Sequence, residues 1–201
     1  ISFVASSNSA LYCGADVDFV DIDPVTYNLC PLALEKKLQE AKQQNRLPKV
    51  IVAVHLCGQS CDMRSIKRLA DQYNIRVIED ASHAIGGKYL DNAIGGNQFA
   101  DITIFSFHPV KIITTAEGGV ATTNSKHLAD KMELFRSHGV TRDPDLLINC
   151  NEGPWYYEQQ SLGFNYRLCD FQAALGISQL ERLDKYINKR AELAGIYDEN
   201  I

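Results

Sequence analysis

Short apolar runs alternate with amphipathic helical stretches along this chain, and that rhythm constrains the fold more than any other feature. Lys49-Val50-Ile51-Val52-Ala53-Val54 is β-branched and apolar, the pattern of a strand covered in a parallel sheet. Val17 to Ile22 alternates and reads as an earlier strand, turned by Asp23-Pro24. Ile75-Arg76-Val77-Ile78, Asp101-Ile102-Thr103-Ile104-Phe105 and Gly119 to Thr123 read as further strands. Among the helices, residues 5–13 end at Gly14, a left-handed stop. Pro31 opens a helix to about Gln44, with Leu32, Leu34 and Leu38 on one side. Asp62 caps a helix from Met63 to Tyr73, whose Ile66, Leu69 and Ala70 keep the helical period. Ser125 caps another through Ser137, and a long helix runs from Asp170 past Asp184. The glycine pairs 86–87 and 95–96 bracket a hairpin, and residues 139–165 are irregular and aromatic. Strands interleaved with helices predict an α/β fold with a largely parallel, covered sheet.

The polar residues gather at strand ends. In open α/β sheets, ligands bind at the carboxyl ends of the strands. His55 follows the first covered strand, Asp80 and His83 the second, and Ser106 and Lys111 the third. A lysine there can be partly desolvated, which frees its amine for Schiff-base chemistry. An aspartate beside small residues can approach a ligand closely. Held against a pyridine nitrogen, it keeps that nitrogen protonated, which makes the ring an electron sink.

Composition excludes several classes. The 201 residues are 45% hydrophobic and 22% charged, with a formal charge of -5, as in a globular protein and unlike a nucleic-acid binder. No apolar run nears the roughly 18 residues of a membrane span, and no signal peptide is visible. A cytoplasmic protein is expected. Six cysteines (Cys13, Cys30, Cys57, Cys61, Cys150 and Cys169) match no zinc spacing, so reduced structural thiols and no metal are expected. The chain opens at Ile1 inside an apolar run and reads as a piece of a longer protein.

Seven ordered segments carry a resemblance across the whole chain. They are Phe3-Val4-Ala5, Val20-Asp21-Ile22-Asp23, His55-Leu56-x-Gly58-Gln59, Ile78-Glu79-Asp80-Ala81, Phe105-Ser106-Phe107-His108-Pro109-x-Lys111, Glu117-Gly118-Gly119 and Gly163-x-Asn165-x-Arg167. Together they resemble the DegT/DnrJ/EryC1/StrS sugar aminotransferases. Residues 80–84, 106–119, 135–139 and 174–180 are most similar to the branch that aminates a UDP-linked 4-keto-6-deoxy-N-acetylhexosamine in pseudaminic acid biosynthesis. The resemblance implies a fold-type I architecture, a three-layer α/β/α large domain with a mostly parallel sheet. It implies that residues 1–184 form most of a domain binding pyridoxal 5'-phosphate, without its N-terminal part. Residues 185–201 would begin a helix leading to a small C-terminal domain.

Roles follow residue by residue. Lys111 would bind the cofactor covalently and shuttle the proton. Asp80 would pair with the pyridine nitrogen, Ser106 would reach the phosphate, His83 would lie near the ring or its 3'-oxygen, and Phe3 would lie against the ring. Asn165 would reach the phosphate of a neighbouring subunit's cofactor, which implies a homodimer. Arg167 nearby and His108 are candidate substrate contacts. Dehydratase relatives carry histidine in place of the lysine, and the presence of Lys111 favours transamination. Glu117 either supports the glycine turn or touches substrate. The implied partners are L-glutamate and a UDP-4-keto-6-deoxy sugar, with neither nucleic acid nor membrane. Another nucleotide-sugar aminotransferase, a cofactor-dependent sugar dehydratase and a non-catalytic binding protein on the same fold are the alternatives.

Overall fold

The computed structural model describes residues 1–149 and 152–201, so Cys150 lies outside the described residues. Its centre is a four-stranded sheet in the order β1 (Val50–Val54), β2 (Arg76–Asp80), β5 (Ile102–Ser106) and β6 (Gly119–Thr122). The first three strands are parallel and β6 is antiparallel to β5. The register sets Val54 and Ile104 beside Asp80, so the carboxyl ends of β1, β2 and β5 share one sheet edge.

Strand alternation divides the side chains between two faces. Ile51, Ala53, Val77, Glu79, Thr103 and Phe105 are buried on one face. Helices α2 (Pro31–Gln43) and α3 (Met63–Gln72) cover part of it, contributing Leu34, Leu38, Met63, Ile66, Leu69 and Ala70 to one core cluster. Each fully buried aliphatic side chain there stabilises the fold by about 1.5–3 kcal/mol. Asp62 caps α3, its carboxylate accepting from the Ser65 N–H at 3.3 Å. Helix α1 (Val4–Tyr12) reaches the end of β2 from the other face, where Ile104 is 41% and Val120 42% exposed.

The remaining elements complete the rim. Strands β3 (Lys88–Tyr89) and β4 (Asn92–Ala93) form the hairpin expected between the glycine pairs. Helix α4 (Lys126–Arg136) starts at its Ser125 cap. Strands β7 (Val140–Thr141) and β8 (Glu158–Gln159) pair within the stretch expected to be irregular, leaving Trp155 and Tyr157 exposed. Two glycines fix the base of that excursion. A Cβ at Gly139 would fall 1.8 Å from the Ser161 carbonyl oxygen, and one at Gly163 2.2 Å from the Gly139 nitrogen.

Four expectations are corrected. Residues 17–22 form no extended strand. Only Ile22 bridges, to Leu29, and the Asp18 and Asp21 carboxylates take the N–H groups of Phe19 and Ile22 that a ladder would use. The long C-terminal helix is two, α5 (Asp170–Leu180) and α6 (Leu183–Asn200), broken at Arg182 with φ -108° and ψ 5°. Leu32 is 77% exposed, because Leu34 and Leu38 occupy the inner stripe of α2. Of the described cysteines, Cys13, Cys57 and Cys169 are exposed and only Cys61 is fully buried, where burial pushes its thiol up to about 12. Among the described residues no helix is long and apolar enough to cross a membrane.

Candidate active site

Asp80 ends β2 and is half-buried. Its carboxylate accepts the Ser6 hydroxyl of α1 at 2.6 Å, the Ser82 hydroxyl at 2.5 Å and the Ser82 N–H at 3.1 Å. These three donors hold the acid at the sheet edge without neutralising it, since no cation pairs with it among the described residues. The backbone carbonyl of Asp80 accepts the His55 N–H at 3.1 Å, which ties the end of β1 to the end of β2.

The segment after β5 carries Lys111. It leaves the sheet at Ser106, whose hydroxyl accepts the His108 N–H at 3.4 Å, and the Lys111 N–H then bonds the His108 carbonyl at 2.9 Å. Phe107 donates to the Gly118 carbonyl at 2.9 Å, and Thr115 donates to the Phe107 carbonyl at 3.0 Å. Buried Phe107, Ile113 and Thr115 anchor the segment beneath the half-buried Lys111.

A cleft of about 440 Å³ opens between these strand ends and α6. Lys111, His83, Ser82, Cys57, Ile187 and Arg190 are among the residues that line it. Gly58 brings two of its loops together. At φ +89° a Cβ there would sit 2.7 Å from the His83 carbonyl oxygen, so both the backbone conformation and the close approach require glycine. His83 feels both charges of the site. Its pKa lies below the ordinary 6.5 chiefly because burial disfavours the imidazolium, then because Lys111 repels it, with Asp80 opposing. The neutral ring therefore prevails at neutral pH. The sign follows: below the ordinary histidine value the unfolded chain binds the proton more readily, so this contribution to stability is lost as pH falls. A proton-NMR titration should place the His83 midpoint below 6.5, and the midpoint should rise in a Lys111→Met variant.

The structure thus brings Asp80, His83 and Lys111 to one edge, with Ser106 at the end of the adjacent strand. It does not bring His55 into the cleft. That ring is fully buried, its Nδ1 accepting the Cys61 N–H at 3.2 Å and its Nε2 lying 3.9 Å from the Glu79 carboxylate. His55 is a strand-end clamp because the loop turns it under the sheet. Phe3 caps α1 and is 72% exposed. His108 faces Glu117, Nδ1 to Oε1 at 3.0 Å, and both are exposed. Asn165 bridges to Ser137, and the neighbouring Tyr166 N–H bonds the Arg136 carbonyl. The side chains of Asn165 and Arg167 are exposed, and among the described residues no hydrogen bond joins them to Asp80, Ser106 or Lys111. Sequence reasoning missed Ser6 and Arg190, neither of which carries a local signal. Ser6 meets Asp80 across 74 residues.

The groups present fit pyridoxal phosphate. A carboxylate, a primary amine and a strand-end hydroxyl lie at neighbouring strand ends, complementing a pyridine nitrogen, an aldehyde and a phosphate. A parallel-sheet edge bearing this set defines the pyridoxal-phosphate-dependent transferases of fold type I.

A family model confirms the class over residues 1–201. The chain belongs to the DegT/DnrJ/EryC1/StrS aminotransferase family, whose aminotransferases depend on pyridoxal phosphate. It is 41% identical over 199 residues to the UDP-4-amino-4,6-dideoxy-N-acetyl-β-L-altrosamine transaminase of Campylobacter jejuni, covering 99% of this chain and 49% of that protein. It is also 41% identical over 201 residues to the GDP-perosamine synthase of Caulobacter vibrioides, covering 100% and 49%. Among solved structures it resembles Helicobacter pylori PseC, an aminotransferase involved in the biosynthesis of pseudoaminic acid. The TM-score is 0.87 at 39% identity, covering 99% of this chain and 49% of that one. The chain therefore spans about half the length of the relatives it matches.

Proposed function

We propose that this chain belongs to a homodimeric aminotransferase that moves an amine from L-glutamate to the 4-keto carbon of a UDP-linked 4-keto-6-deoxy-N-acetylhexosamine. Glutamate leaves as 2-oxoglutarate and the sugar leaves as the 4-amino compound, the reaction class of pseudaminic acid biosynthesis. The observation that carries the reading is the convergence of Asp80 and Lys111 on one sheet edge, with His83 lining the same cleft as Lys111. Residues 1–184 belong to the cofactor-binding large domain, and residues 185–201 lead toward a smaller one. The doubled length of the relatives supports that division. A cytoplasmic location fits such a biosynthetic role.

When bound, pyridoxal phosphate supplies the electron sink that lets a bond break at the amine-bearing carbon. The chain's own residues do the rest. The Lys111 amine holds the cofactor and carries the proton to and from the substrate carbon. The Asp80 carboxylate, fixed by Ser6 and Ser82, keeps a proton on the pyridine nitrogen. The Ser106 hydroxyl would hold the phosphate, while neutral His83 and the Phe3 ring would flank the pyridine. On the exposed strap after α4 and β8, Asn165 would serve the phosphate of the partner subunit's cofactor and Arg167 would contact substrate. His108, paired with Glu117, would contact substrate.

A second reading rests on the equal similarity to the GDP-perosamine synthase: the acceptor would then be a GDP-linked 4-keto-6-deoxy sugar. One assay decides. The cofactor-loaded protein, given L-glutamate and UDP- or GDP-linked 4-keto-6-deoxy sugars, should form amino sugar and 2-oxoglutarate in equal amounts, with the UDP sugar preferred. Sugar consumed without glutamate would make the protein a dehydratase and end the aminotransferase reading.

A further inference from the structure

Helix α6 packs against the site along one stripe. Leu183 and Tyr186 pack on the cluster of Ala81, Ala84, Phe105, Phe107 and Ile113. Ile187 sits over Gly86, where a Cβ would fall 2.2 Å from its Cδ1. In a helix, positions i, i+3, i+4 and i+7 lie on one face. The next position of this stripe after Leu183, Tyr186 and Ile187 is therefore Arg190. An apolar residue would continue the pattern, yet the chain places a guanidinium there, on the wall of the cleft that holds Lys111.

Among the described residues that guanidinium pairs with no carboxylate. Four cations elsewhere on the helices are paired with acids one turn away, in Lys67–Asp71, Lys126–Asp130, Arg136–Glu133 and Lys189–Glu192. Arg190 has Ile187, Leu193, Tyr186 and Ala194 at the corresponding spacings. Among the described residues it makes neither an ion pair nor a hydrogen bond. An unpaired arginine in a cleft that already contains an amine draws anions, and its planar fork suits phosphate oxygens in a two-pronged contact.

We propose that Arg190 is the anion-recognising residue of this cleft and that its ligand is the diphosphate of the nucleotide-sugar substrate. The proposal rests on the aminotransferase reading and specifies its substrate site. A 4-keto hexose carries its reacting carbon and its diphosphate at opposite ends of one ring. With the reacting carbon at Lys111, the diphosphate falls toward a cation on a different element, and α6 supplies it. The cleft of about 440 Å³ has room for a sugar and its phosphates, and the base extends beyond it. Glutamate fits this position less well, because its α-carboxylate is one bond from the reacting carbon and stays beside Lys111.

In the holoenzyme, Arg190→Gln should weaken UDP and GDP binding about ten- to a hundredfold by calorimetry, since the contact is to phosphate and not to the base. The KM for the nucleotide sugar should rise by a similar factor and kcat should fall far less. The KM for L-glutamate and the visible absorbance of the bound cofactor should hold. Arg190→Lys should recover part of the loss, and Lys189→Gln, one position away on the paired side of α6, should behave as the parent. Unchanged UDP affinity in Arg190→Gln overturns the proposal. So does a rise in the glutamate KM in place of the sugar KM, which would assign the residue to the amino donor. A parent protein without glutamate-dependent amination refutes the aminotransferase reading, while the UDP and GDP titrations still judge Arg190.

Discussion

Replacing Lys111 with Ala should abolish turnover, lowering it by at least about 10²–10⁴-fold, because in the proposed reaction one side chain supplies both the covalent anchor and the proton carrier. The protein should still fold. Among the described residues only the backbone of Lys111 is hydrogen-bonded, its N–H to the His108 carbonyl, and alanine keeps that bond. Three measurements separate loss of chemistry from loss of structure. Far-ultraviolet circular dichroism should be unchanged. The yellow colour of the bound cofactor should vanish. Borohydride should no longer fix the cofactor's mass onto the chain. Lys111→Arg should behave in the same way, since a guanidinium keeps the charge but not a nucleophilic amine. A variant that retains the parent's visible spectrum would remove Lys111 from its role.

Asp80→Asn should produce the second large effect, a fall of roughly 10²–10³-fold in turnover, with the cofactor still attached to Lys111. The amide matches the carboxylate in size; its oxygen can still accept from the Ser82 hydroxyl and N–H, and its NH2 can donate to the Ser6 hydroxyl oxygen, so the sheet edge should persist. What disappears is the negative charge that, in the proposed role, would hold a proton on the pyridine nitrogen. The signature is kinetic and spectroscopic together: slow proton transfer at the substrate carbon and a changed pH dependence of the cofactor absorbance. A loss confined to cofactor affinity would make Asp80 an anchor and not an electronic partner.

Strand ends were the legible part of this molecule. Val50–Val54, Arg76–Asp80 and Ile102–Ser106 declare themselves because covered strands need unbroken apolar runs, and polar residues placed directly after them can only lie at the sheet edge. Asp80, Ser106 and Lys111 could therefore be read as one constellation before any coordinate was known. Residues 17–22 misled because alternation describes a strand only if a neighbour exists to pair with, and pairing is a long-range fact. The break at Arg182 was hidden because apolar spacing runs on through it, from Leu180 to Leu183. His55 was placed on the correct edge but on the wrong side of it, since one dihedral at the end of β1 decides which layer the ring enters. Ser6 and Arg190 lay beyond reach for a simpler reason. Each acts on the site from an element distant in sequence, and neither residue type is unusual on a helix.

The fastening of the Lys111 segment has a thermodynamic corollary. Phe107 is bonded to Gly118 at the segment's mouth, Thr115 folds back onto Phe107, and Phe107, Ile113 and Thr115 are sunk in the core. A flexible loop bearing the nucleophile would have to be ordered afresh whenever a ligand arrived, and that entropy would be subtracted from affinity each time. Here the backbone ordering is completed once per molecule, during folding, and every later encounter finds the segment that carries Lys111 already in place.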